Sequence, residues 1–142
     1  MAADTLINAF NLGVNKALSM FRTFDQPDQD EDIEKLKLKS RKQAATSSDQ
    51  EVQAMAKGYL VAADCYSNAK EKAYKIWALH DPHLSRQLNE DIKILAIQTY
   101  RTMFDVCNQQ EIPQIRNKFL ILLAQKTFKL TFNQATFSHS SR

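Results

Sequence analysis

The chain has 142 residues, 25% of them charged and 44% hydrophobic, and a formal net charge of +3. That length suits one domain able to bury roughly two thirds of the surface its unfolded form would expose. The mild basic bias falls short of the clustered excess of a dedicated nucleic-acid binder. Only 2 glycines and 3 prolines interrupt the chain. Apolar residues recurring at helical spacing therefore predict an all-α fold: a single-domain antiparallel bundle of four principal helices, with a charged, mobile linker at 25–47 that has room for a short extra helix over about 32–45.

The first helix is expected from about residue 4 to 22. Asp4 suits its cap, and Ile7, Phe10, Val14, Ala17 and Phe21 fall on one face, with Asn8, Asn11 and Asn15 elsewhere. This opening has neither a basic leader nor a continuous apolar stretch, so no signal peptide and no membrane span are expected. The location expected is cytoplasmic, with export lacking a classical leader left open.

Composition then shifts. Residues 25–34 carry six acidic groups and 35–42 carry five basic ones. Pro27 and the like charges favour a loop in the acidic half. In the basic half Glu31 can pair with Lys35, but the alternation from Lys35 to Lys39 shows no clean helical stripe.

Ser48 and Glu51 have the spacing of a capping box, and the pattern runs unbroken to about Leu79, a rod of roughly 45 Å. Val52, Met55, Tyr59, Ala62, Ala63, Tyr66, Ala69, Ala73 and Trp77 share a face whose alanines admit a close neighbour. Gly58 is either a weakness of about 1 kcal/mol against alanine or a helix crossing point.

Asp81 as cap and Pro82 at the first helical position predict a third helix over about 82–109. Leu84, Leu88, Ile92, Leu95, Thr99, Met103 and Val106 form its main stripe. Ile97, Tyr100 and Phe104 form a second apolar set, more than one neighbour requires, and are the residues expected to dock a partner. After the polar stretch Asn108 to Glu111, Pro113 is expected to restart the chain. Phe119 to Ala124 are apolar all round, as in a central helix, which is taken to about 136 although 127–137 also alternates like a strand.

Chemistry-bearing motifs fail on their spacing. A calcium loop begun at Asp28 has Ile33 at its sixth position and Lys39 at its twelfth, where glycine and glutamate are needed. His80 and His83 lack further ligands at metal spacing. Cys65 and Cys107 are expected as two buried thiols, a bridge between their helices being the alternative. Cys65 has no turn to present it as a nucleophile, and the adjacent Glu90 and Asp91 point about 100° apart on a helix. No phosphate-cradling loop is available. No catalytic residue, metal or cofactor is therefore assigned.

The function expected is a non-enzymatic protein–protein interaction module, an adaptor or regulatory subunit. Its partner is another protein, a second copy of the chain included. The alternative is binding of nucleic acid or an anionic membrane surface through Lys35, Lys37, Lys39, Arg41 and Lys42. A small helical enzyme without a recognisable motif is the third option.

Overall fold

The computed structural model describes residues 3–24 and 30–125, and among these it is helical with no strand. Helix α1 spans Ala3–Phe21, α2 Asp30–Thr46, α3 Gln50–Trp77 and α4 Arg86–Val106. A wide π-helical turn, Cys107–Glu111, carries α4 directly into a further helical arm over 112–125. The all-α bundle is as expected from the sequence. The expected fourth helix is instead the continuation of the third, and the rest of that expectation, 126–136, lies outside the described residues together with the helix-or-strand question at 127–137.

Three chain features account for the differing boundaries. The cap of α3 is Asp49 rather than Ser48, because Asp49 is extended and its carboxylate accepts the Glu51 N–H at 2.9 Å. The cap of α4 is Ser85, whose hydroxyl accepts the Leu88 N–H at 3.1 Å. Asp81 serves a loop instead: its carboxylate accepts the His83 N–H, and the Asn89 side chain binds both its N–H and its C=O. At Pro113 the chain does not stop. The widened turn, closed by the Ile112 N–H donating to the Cys107 carbonyl, precedes the proline and absorbs a register that an α-helix would break.

Helix α3 lies at the centre. Contacts with α4 pair Tyr66 with Phe104 and Trp77 with Lys93, so the two helices run antiparallel. Helix α1 runs along α3 in the same sense, Phe10 lying beside Gly58 and Phe21 beside Tyr66. Their crossing is backbone on backbone. A Cβ on Gly58 would lie 2.1 Å from the Phe10 carbonyl oxygen, and one on Gly13 would lie 1.9 Å from that of Met55. Gly58 is thus the crossing point that the sequence allowed for, and the fully buried Ala54 and Ala62 flank it.

The short extra helix that the sequence left room for over about 32–45 is present as α2, longer than expected at 30–46, while the start of the expected linker, 25–29, lies outside the described residues. Ile33, Leu36, Lys37, Ser40 and Ala44 recur at helical spacing and face α3, a stripe obscured by its lysine. Lys37 is only 7% exposed. Its Nζ meets Glu34 at 3.7 Å, Asp64 at 3.3 Å and the Ser67 hydroxyl at 3.1 Å, so the buried cation is both paired and hydrogen-bonded. Glu31 and Lys35 pair as the sequence suggested, at 3.6 Å.

Cys65 on α3 and Cys107 at the start of the wide turn are joined by a disulfide, Cα to Cα 6.1 Å. The expectation of two separate thiols is corrected: 42 residues divide them, but the antiparallel pairing of α3 with α4 brings them opposite each other. The arm 112–125 is not a central helix either. Ile121 and Leu122 are 57% and 63% exposed, and the arm packs one side against α1 through Phe119 and Phe10, ring centroids 6.1 Å apart.

Candidate interaction groove

The end of α1 is tied down by two phenols. Tyr100 donates its hydroxyl to the Phe21 carbonyl, one of the last-turn acceptors that an α-helix leaves unpaired, and Tyr74 donates to the Phe24 carbonyl at 3.1 Å. Phe24 is thereby drawn off the helix end into an aromatic cluster, 4.7 Å from Tyr74, 5.6 Å from Tyr100 and edge-on to Trp77 at 5.7 Å. Burial pushes the Tyr100 hydroxyl well above the usual phenol range, with the neighbouring Tyr66 and Tyr74 adding to it. That hydroxyl is a permanent donor at neutral pH and has a structural role.

Beside this cluster opens a cavity of about 530 Å³, within the range of ordinary ligand clefts. Phe24, Trp77, Ile97, Tyr100 and Phe104 give it apolar and aromatic walls. Among the described residues, Arg22, Lys93 and Arg101 stand around it with one carboxylate, Asp105, and all four are exposed. Lys93 Nζ lies 5.9 Å from the centre of the Trp77 ring, a cation–π contact that positions the ammonium at the edge. The result is an apolar slot with a positive rim. Among the described residues no nucleophile or metal-ligand set lines it.

Ile97, Tyr100 and Phe104 all line this cavity, but not as an exposed ridge. Tyr100 is 3% exposed, and Ile97 and Phe104 are half-buried. The faces of α4 are the reverse of those expected. The second apolar set, joined by Ala96 at 0% exposure, packs on α3, whereas the main stripe meets solvent: Leu88 is 51% and Leu95 53% exposed. The aromatic residues won because α3 presents Ala69 and Ala73, flat positions into which rings fit.

The remaining candidate residues are placed as follows. Lys35, Lys39 and Lys42 follow one side of α2 while Lys37 and Arg41 lie on another, and Lys37 is committed to its acidic partners, so the five cations do not form one basic face. His80 stacks on Trp77 at 6.4 Å and, like His83, is exposed. Sequence reasoning missed Arg22, Phe24, Lys93 and Arg101. Phe24 follows a helix end, where periodicity is silent, but Lys93, Ile97 and Arg101 recur every four residues and would have marked a mixed cationic and apolar face.

No family model, curated protein or solved structure matches the chain. Among the described residues no helix is long and apolar enough to cross a membrane.

Proposed function

We propose that this chain is a non-enzymatic protein-interaction module, of the adaptor or regulatory kind, whose groove takes an acidic segment of a partner protein bearing an aromatic or aliphatic anchor. One observation carries the reading: among the described residues, an aromatic slot of about 530 Å³ is bordered by Arg22, Lys93 and Arg101 and by one carboxylate, Asp105. The walls suit burial of one large apolar side chain, worth about 2–3 kcal/mol. The rim suits flanking Asp or Glu and would speed encounter rather than supply most of the affinity. The disulfide favours an oxidising setting over the cytoplasm expected from the sequence.

Trp77 is the single tryptophan of the chain and lines the slot, so its fluorescence reports occupancy directly. Titration with an acidic peptide built around one phenylalanine is expected to shift the emission, with weaker binding as salt rises. Lys93→Glu combined with Arg101→Glu should weaken binding of the acidic peptide and reverse its salt dependence while leaving helicity intact. Equal binding of a basic peptide with the same anchor would refute the reading.

A further inference from the structure

The disulfide has a third group at its side that a disulfide does not explain. The Glu111 carboxylate oxygen lies 2.9 Å from Cys65 Sγ and 3.6 Å from Cys107 Sγ. Bridged sulfurs carry no proton to donate and a carboxylate offers only lone pairs, so neither contact is a hydrogen bond in the oxidised state. All three donor atoms lie within 4.8 Å of one another, and among the described residues this is the one group of three or more Cys, His, Asp or Glu so gathered. The π-helical turn that brings Glu111 over the sulfurs is a feature that recurs at functional sites.

We propose that reduction of the bridge creates a site for a zinc-like divalent cation, held by the thiolates of Cys65 and Cys107 and the carboxylate of Glu111. In tetrahedral zinc geometry, with Zn–S about 2.3 Å and Zn–O about 2.0 Å, a sulfur and an oxygen ligand stand roughly 3.5 Å apart and two sulfurs roughly 3.8 Å apart. The carboxylate already stands at that separation from Cys107, at 3.6 Å, and closer than it to Cys65, at 2.9 Å. The sulfurs must part and the Cys65–Glu111 contact must lengthen, both by side-chain rotation over a Cα separation of 6.1 Å. The backbone is held meanwhile, because Tyr66, next to Cys65, donates its hydroxyl to Asn108, next to Cys107. Both cysteines are buried and Glu111 is exposed, so the ion enters from the carboxylate side, and water completes the fourth position.

The chemistry balances with a small-molecule thiol as reductant. Two such thiols exchange with the bridge, leaving Cys65 and Cys107 as thiols and the reductant as its own disulfide. The cation then displaces the two thiol protons to solvent as the Sγ–metal bonds form. One pair of cysteines is thus a cross-link in an oxidising setting and a metal centre in a reducing one.

The test uses the full chain reduced with a phosphine until two thiols per chain are counted, then titrated with cobalt(II) as a spectroscopic substitute for zinc. One cobalt per chain is expected, with a thiolate-to-cobalt charge-transfer band and tetrahedral visible bands, reversed by zinc. The oxidised chain and Cys65→Ser should show neither, and Glu111→Gln should bind at least about tenfold more weakly. Should the reduced chain lose its helices, zinc is expected to restore the helical circular dichroism. A reduced chain that takes up no cobalt, cobalt held equally by Glu111→Gln, or helicity that excess zinc fails to restore would each overturn the assignment.

Discussion

Replacing Gly58 with alanine sets two effects against each other. In an isolated helix the change is favourable by about 1 kcal/mol. Here the added Cβ would lie 2.1 Å from the carbonyl oxygen of Phe10 and 2.9 Å from its carbonyl carbon, both backbone atoms of α1. No side chain can swing aside. Ordinary carbon contact is about 3.5 Å, so α1 must lift by roughly 1.4 Å at that point, and a gap of that size forfeits more than half of the dispersion energy of the contacts it opens. Overpacking usually costs about 1–3 kcal/mol, and a backbone obstacle belongs at the upper end or beyond. The expected net loss is about 2–3 kcal/mol, or roughly 10 °C in Tm for a domain of this size. Gly13→Ala should behave alike, since its Cβ would meet the Met55 carbonyl oxygen at 1.9 Å. The double variant should lose less than the sum, because one separation relieves both clashes. Thermal unfolding followed by circular dichroism decides it. A Gly58→Ala chain as stable as the parent, or more so, would refute the close crossing of α1 and α3.

Three further outcomes follow from the packing. Tyr100→Phe removes the donor that satisfies the Phe21 carbonyl and should cost about 1–2 kcal/mol in urea unfolding, with native helicity retained. Leu88→Glu and Leu95→Glu fall on the solvent side of α4 and should each change stability by less than about 0.5 kcal/mol, whereas Phe104→Ala should cost several times as much. The third concerns alkaline pH. Burial raises the Tyr66 hydroxyl to about 12, outweighing the opposing hydrogen bond with Asn108, and raises Tyr100 as well. Above pH 10 the unfolded chain releases these protons first, so the native state binds more of them and stability falls as pH rises. The unfolding free energy from urea titrations should therefore stay level below about pH 9 and drop between about 10 and 12, by at most about 1.4 kcal/mol per pH unit for each such tyrosine. A midpoint unchanged to pH 12 would contradict the burial of these rings.

Much of the fold could be read from the chain because helix existence follows from periodicity and the absence of breakers. The α1 face through Phe10, Ala17 and Phe21, and the alanine face of α3, are buried as their spacing requires. What misled was local chemistry. Lys37 occupies a core-facing position of α2, so the stripe of that helix looked broken until Asp64 and Ser67, from another helix, supplied its partners. Asp81–Pro82 has the form of a helix start, but Asn89 claims the Asp81 backbone, and Ser85 is left to cap. On α4 two apolar sets competed for one neighbour, and leucine count favoured the wrong one; the flat Ala69 and Ala73 of α3 chose the rings. The groove depends on this reversal, and so on a property of α3 that the sequence of α4 does not carry. The bridge and its carboxylate are equally non-local: Cys65 and Glu111 meet across 46 residues.

The groove's role is tested most directly by mapping amide and indole chemical shifts of the labelled chain as an acidic, phenylalanine-bearing peptide is added. The expected perturbations run from Arg22 to Phe24, through the Trp77 indole, and along α4 from Lys93 to Phe104, saturating together. Shifts confined to Leu88 and Leu95, or to Lys35, Lys39 and Lys42, or none at all, would contradict docking in the slot.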